Sequence, residues 1–460
     1  MSILHSIRKQ LKKAFELIKN RQLKENLLQA TPFWIASLVT GLIAVLYSKL
    51  FSGAEAVSMY LLHHFQWWLL LISPSLFLIA YYIVAKYAPY SRGSGIPQVI
   101  ASLELSTPRE YIKVRSLLSI KVIVIKICSS LLAAMGGAAI GREGPTIQIA
   151  ASVFRKVNQW IPDSWPKISR RNMIMTGAAA GLAAAFNTPL GGIVFAVEEL
   201  TRTHISYFRI AIFSSVIIAG LTAQSLLGPY LYLGYPDVSN LHVFSYIGVV
   251  IAAIVTGIIG SLMCKVILYV LHRKRKFTLA QNLFYAAACS MILITLALIV
   301  SSQTMGSGKE VMNTMLFSAN KRSEWYMPLL RILGPILSFT TGVAGGVFAP
   351  ALSAGATFGS IIAEWLHLSP TDTNLLILSG MVGFLTGVTR TPFTSAILVL
   401  EMTDRHNVIF HLMLAGMVAS LVSLLVDKES FYDHMKDQYL HTLRNEVPEQ
   451  NVPGPNPANA

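Results

Sequence analysis

"GREGPTIQIA", residues 141–150, interrupts a stretch that otherwise reads as membrane interior, with "ICSSLLAAMGGAAI" (127–140) leading in and "QIAASVF" (148–154) overlapping its end. A charged side chain at membrane depth costs roughly 2.5 to 3.5 kcal/mol or more, so Arg142 and Glu143 side by side between two glycines call for a functional reason.

The surroundings are those of a polytopic membrane protein. Of 460 residues, 53% are hydrophobic and 13% charged, a balance no water-soluble core requires. Apolar runs long enough to cross or nearly cross a bilayer begin near residues 32, 67, 117, 206, 243, 281, 328, 373 and 407. The first 30 residues contain no such run. "SIRKQLKKAFELIKNRQLKEN" is instead a basic amphipathic pattern without a cleavage-like end, which reads as a surface helix over 1–30 and not as a signal peptide. Seven Lys/Arg against two Glu between residues 1 and 31 place that end in the cytoplasm by the positive-inside rule, with anionic lipid as its partner. The net charge of +15 is dispersed over loops such as "HRKRK" (272–276) without interleaved base-stacking aromatics, so nucleic acid is not an expected partner. Cys128, Cys264 and Cys289 have no metal-ligand spacing and read as buried small residues, and no metal site is expected. "EVPEQNVPGPNPANA" closes the chain with a composition that cannot pack a core, and residues 436–460 are expected to form a flexible cytoplasmic tail.

The chain also matches itself. "TGAAAGLAAAFNTPLGGIVFAVEEL" (176–200) aligns without a gap on "SGMVGFLTGVTRTPFTSAILVLEMT" (379–403), pairing Thr188 with Thr391, Pro189 with Pro392 and Glu198 with Glu401. Ahead of each copy stands a glycine-rich breaker ending in proline, "GREGP" (141–145) and "GVFAP" (346–350), and further ahead "GSGIP" (93–97) and "GSGKE" (306–310). Paired, Gly/Pro-interrupted apolar segments in two halves, here about 31–228 and 243–427 of a membrane unit spanning 31–435, point to a transporter with a mid-membrane site. The expected fold is therefore all-α, with inverted repeats whose broken helices meet at that site.

Helices broken inside the membrane are tolerated only where their ends are buried in protein or line a cavity. Each N-terminus offers about four free N–H groups and roughly half a positive charge, so several on one point bind an anion without a full cation. Pro97, Pro145 and Pro350 fit first turns, where their missing N–H is no loss. Partial charges also hold an anion weakly enough to release it. At such a site an ionised Glu143 competes with the transported anion, whereas a protonated one yields to it. That competition links proton and anion binding.

At these residues the chain resembles the CLC family of chloride channels and chloride/proton antiporters, over about residues 30–435 and on "GSGIP", "GREGP" and "GVFAP" in order. The resemblance implies a homodimer with one anion pathway per subunit in the cell membrane, bacterial inner membrane in type, with both termini cytoplasmic. It implies that Glu143 is the gating glutamate. By the same resemblance the anion is expected to be held by Ser94, Gly95 and Ile96 of "GSGIP", by the N–H groups of Val347 and Phe348, and by Tyr432, which follows the closing helix. Antiporter members carry a second glutamate after the "NTPLGGIVFAVEEL" pattern, here Glu199, as an internal proton relay; Glu198 recurs as Glu401, while Glu199 faces Met402. A serine at position 94 goes with chloride in this family. No cofactor is implied beyond the transported chloride and protons.

One departure is visible: the best-known bacterial antiporters place carboxylates just after the "GSGIP" proline, where this chain has Gln98 and Ile100. Lys126, a cation in the apolar run "KVIVIKICSS", is expected to raise the local potential for anions or to pair with Glu199. The activity that the resemblance implies, with Glu143 and Glu199 both present, is chloride/proton antiport, and the nearest alternative is a passive chloride channel with the same anion site. An enzyme is not expected: "GSGK" (306–309) lacks the glycine and the Ser/Thr of a nucleotide loop, since Gln303 and Glu310 stand there, and no zinc-protease or hydrolase motif occurs.

Overall fold

A computed structural model describes residues 21–162, 165–200, 209–228, 231–242, 244–319 and 321–446. Residues 1–20 of the expected surface helix and 447–460 of the expected tail lie outside that set. The fold is helical throughout the described residues, its only β-pairing being two isolated bridges.

The first half comprises α1 (Arg21–His64), α2 (Gln66–Tyr87), α3 (Ile96–Glu104), α4 (Ile120–Met135), α5 (Glu143–Trp160), α6 (Arg170–Phe186), α7 (Pro189–Phe195) and α8 (Arg209–Leu227). The second half runs through α9 (Ser245–Lys274), α10 (Leu279–Ile299), α11 (Lys309–Phe317), α12 (Met327–Thr340), α13 (Phe348–Trp365), α14 (Pro370–Thr389), α15 (Pro392–Thr403) and α16 (Ile409–Val426), and closes with α17 (Phe431–Glu446). Among the described residues, eight helices are long and apolar enough to cross a membrane. The run at 328 is one of the shorter apolar helices, Met327–Thr340.

The repeat is written in the backbone. Gly95 and Gly308 cap α3 and α11 in the left-handed conformation, and Asn187 and Arg390 end α6 and α14 in it, at φ 59° and 63°. Gly141 and Gly346 exchange N–H to C=O bonds of 2.7 and 2.8 Å across an antiparallel bridge, relating the "GREGP" and "GVFAP" turns. Glu198 and Glu401 complete the exchange. Glu401 accepts from the N–H groups of Leu190 (3.0 Å) and Gly191 (2.6 Å) at the start of α7, and Glu198 accepts from those of Phe393 (3.1 Å) and Thr394 (2.6 Å) at the start of α15. Each half thus caps the other's helix, which explains why the glutamate recurs at a fixed distance from Thr-Pro.

The centre is made of small residues. α6 packs on α5 and α14 on α13, with both inner helices buried along almost their whole length. A Cβ on Gly355 would strike the carbonyl of Gly380, and one on Gly380 that of Gly355, so glycine at both positions is what lets these backbones touch.

Three expectations are corrected. Residues 436–446 are not tail: α17 continues to Glu446 and packs against α3, burying Met435, Tyr439, Leu440 and Leu443 along one face. The boundary at residue 30 falls inside α1, whose described part begins at Arg21 and runs unbroken to His64. Cys128 is exposed on α4, whereas Cys264 and Cys289 are buried, because α4 turns one side outward along its length.

Candidate functional site

Three helices begin at the centre with the same local design. In α3, α5 and α13 the first internal bonds run from the N–H groups of Val99, Thr146 and Ala351 to the carbonyls of Gly95, Arg142 and Val347. Everything earlier in each first turn lies outside the helical ladder. Pro97, Pro145 and Pro350 occupy three of those positions, leaving N–H groups such as those of Ile96, Glu143 and Phe348 directed out of the helix starts.

Close approach holds the starts together. Gly95, at φ 112°, adopts a conformation closed to side chains, and a Cβ there would also lie 2.8 Å from the Gly144 carbonyl oxygen. The Ser94 hydroxyl fills the space a Cβ on Gly144 would take. The Glu143 carboxylate fills the corresponding space at Gly141. Ser94, Gly95, Ile96, Glu143, Val347 and Phe348 are all buried, and Tyr432, at the start of α17, joins them.

The polar atoms of this group are unusual. Ser94 and Glu143 are 1% exposed and Tyr432 0%, yet the Ser94 hydroxyl, both Glu143 oxygens and the Tyr432 hydroxyl form no hydrogen bond among the described residues. The Ser94 and Tyr432 side chains neighbour each other, the charges of Glu143 and Glu199 bear on Tyr432, and the backbone N–H of Ala349 in α13 faces the Glu143 carboxylate. Leaving a buried donor or acceptor unmatched costs about 1–3 kcal/mol each, a cost that a bound ligand would offset at these four atoms.

Arg142 turns away from its neighbour. Its guanidinium donates to the Ser48 carbonyl (3.0 Å) and the Ser52 hydroxyl (3.1 Å) on α1. Glu199 is half-buried in the π-turn Ala196–Leu200 that extends α7. Lys126 pairs with Gln148, donating to its Oε1 at 2.5 Å, and not with Glu199. The Gln148 amide in turn donates to the carbonyls of Tyr90 (3.2 Å) and Leu117 (2.8 Å), so the buried cation is wired to neutral groups. Gln98 donates to the carbonyls of Tyr90 and Arg92 and to the Tyr439 hydroxyl, closing the turn ahead of α3.

Arg331 escaped the reading of the sequence. Fully buried on α12, it donates to the Ser353 hydroxyl (2.8 Å) and to the carbonyls of Gln303, Met305 and Gly306, fixing the turn that opens α11. A lone cation in the apolar stretch "MPLLRILGP" was the available signal, of the same kind as Lys126. Among the described residues no three of His, Cys, Asp and Glu converge as metal ligands would.

Comparison with known proteins gives one consistent answer. The sequence profile of a family described as voltage gated chloride channel matches residues 76–424. Among solved structures, a slow cyanobacterial Cl-/H+ antiporter superposes with a TM-score of 0.79 at 23% identity, covering 90% of this chain and 98% of that one. A CLC-type fluoride/proton antiporter gives 0.74 at 20% identity over 90% and 98%, and a eukaryotic CLC transporter 0.72 at 19% identity over 89% and 74%. At these identities the structural likeness establishes the fold.

Proposed function

The chain belongs to the voltage gated chloride channel (CLC) family, and from that membership we propose that it is a chloride/proton antiporter in which Glu143 serves as gate and proton acceptor. The observation that carries this reading is the set of unmatched buried groups where three helix starts meet: two hydroxyl donors and backbone N–H groups suited to an anion, and one carboxylate suited to displacing it.

In this account chloride rests between the Ser94 and Tyr432 hydroxyls and the N–H groups of the α3 and α13 starts, including Ile96, Val347 and Phe348, with Gly95 letting the α3 backbone approach. Ionised Glu143 takes the anion's place against the α13 start. Protonation removes its charge, frees the donors, and lets chloride through while Glu143 carries the proton. Glu199, whose charge reaches Tyr432, passes protons between the cytoplasm and the centre. Two chains associate in the cell membrane with a pathway in each and both termini in the cytoplasm, as in the family at large. Chloride as the anion rests on the serine at position 94.

A passive channel is the second reading. What favours it is Gln98, which stands where the best-known bacterial antiporters carry a carboxylate and whose amide is engaged by Tyr90, Arg92 and Tyr439. The Glu143→Gln variant in liposomes tests the gate: chloride flux should continue with proton movement abolished. Proton transport persisting in that variant overturns the assignment.

A further inference from the structure

Where α2 ends, α4 begins and α5 ends, a cavity of about 660 Å³ opens between the three helices. Its wall carries Arg115, Lys121, Arg155 and Lys156, and no carboxylate is among its described lining residues. The start of α4 faces it as well. Ser119 caps that helix by accepting from the Val122 N–H, and Ser119, Ile120, Lys121 and Val122 all line the wall. A helix N-terminus and four cations on one cavity make a strongly positive concavity.

Arg155 marks the site as incompletely satisfied. The side chain is 6% exposed, it donates to the Leu118 carbonyl at 2.9 Å and rests over the Tyr111 ring, and its Nε is buried without a hydrogen-bond partner. Apart from Tyr111, which favours its charge, what bears on it are the like charges of Arg115 and Arg170. A buried guanidinium among other cations, served only by neutral groups, gains more from an anion than any nearby side chain supplies.

The rim indicates where that anion comes from. Ile120 is 52% exposed, and Tyr87 and Trp160, exposed at the ends of α2 and α5, are the aromatics expected at a membrane–water boundary; Lys156 lies 5.3 Å over the Trp160 ring. We infer that this cavity binds a phosphate group at the membrane face that the positive-inside argument assigns to the cytoplasm, presented there as the head group of an anionic phospholipid. Ser152, on the wall, donates to the Gln148 carbonyl on α5, so the occupant grips the helix whose other end carries Glu143.

The test is native mass spectrometry of the full-length protein in detergent, titrated with phosphatidylglycerol or phosphatidylcholine of matched chains. The comparison is with an Arg115→Gln/Lys121→Gln variant, whose two substitutions lie on exposed side chains. Wild type should prefer phosphatidylglycerol, and the variant should lose roughly thirtyfold in affinity for it while phosphatidylcholine binding stays the same. If the double variant is not monodisperse, Lys121→Gln alone is read the same way with a roughly fivefold loss. Inorganic phosphate at millimolar concentration separates the sources: failure to displace the lipid supports the head group, and displacement with binding in its own right assigns the same site to soluble phosphate. Equal phosphatidylglycerol retention by wild type and variant, or no preference over phosphatidylcholine together with no phosphate binding, overturns the inference. None of these readings depends on transport, so they stand or fall apart from the antiport proposal.

Discussion

The exchanged glutamates make the most quantitative prediction. Glu198 receives three hydrogen bonds, from the N–H groups of Phe393 and Thr394 and from the Thr394 hydroxyl at 2.7 Å, whereas Glu401 receives two. Hydrogen bonds to a charged group are worth about 1.5–3 kcal/mol each, and both side chains are only partly buried, so about half of that survives solvent screening. Glu198→Ala should therefore cost about 3 kcal/mol and Glu401→Ala about 2 kcal/mol. Replacement by glutamine keeps one acceptor and gives up the second oxygen and the attraction of the charge for the helix start, so each glutamine variant should cost about 1 kcal/mol. Thermal melting of the detergent-purified protein, followed by tryptophan fluorescence, reads the order: wild type highest, then the glutamine variants, then Glu401→Ala, then Glu198→Ala. Alanine variants that melt with wild type, or that melt no lower than the glutamine variants, would refute the capping argument.

Three further outcomes are expected. Gly144→Ala puts a methyl group where the Ser94 hydroxyl stands, and should weaken chloride binding by calorimetry about tenfold or more, a loss of one good hydrogen bond; Gly53→Ala, with nothing within 4 Å, should leave it unchanged. Arg331→Met strips the Ser353 hydroxyl and three carbonyls of their donor and should lower stability by about 3 kcal/mol or more, with Arg331→Lys recovering only part because an ammonium cannot span them all, as melting would show. The Arg444 guanidinium beside Glu110 holds its carboxyl below the usual range, so this pair's contribution is full above the ordinary carboxylate pKa and fades as pH falls through the lower folded value. With Arg444 half exposed the contribution stays under about 1 kcal/mol, and Glu110→Gln should flatten the acid side of a melting-temperature profile by that much and no more.

What the sequence disclosed and what it withheld follow from the range of the interactions. Breakers such as "GREGP" are local, since glycine and proline act on their own backbone, and they located all three central helix starts. The recurrence of Glu198 as Glu401 was visible too. That each caps the other's helix was not, because the bonds join residues about two hundred positions apart and carry no local signature. Lys126 stood out as a buried cation, but its partner Gln148 is a neutral residue on another helix and gave no charge pattern to match. Tyr432 has no motif of its own and was reached only through the family resemblance. The end of α17 was misread because the Pro/Asn-rich composition that begins at Val447 was extended back over "KDQYLHTLRNE", where Tyr439, Leu440 and Leu443 already mark a helical apolar face.

The central claim is that chloride and proton movements are obligatorily linked at Glu143, and the most direct measurement is proton flux into chloride-loaded liposomes containing the purified wild-type protein, recorded with a pH electrode under an imposed chloride gradient. Protons driven uphill in the direction opposite to chloride, and halted when the chloride gradient is dissipated, is the predicted result. Chloride leaving the liposomes with no coupled proton movement would contradict it and make the protein a channel built on the same anion site.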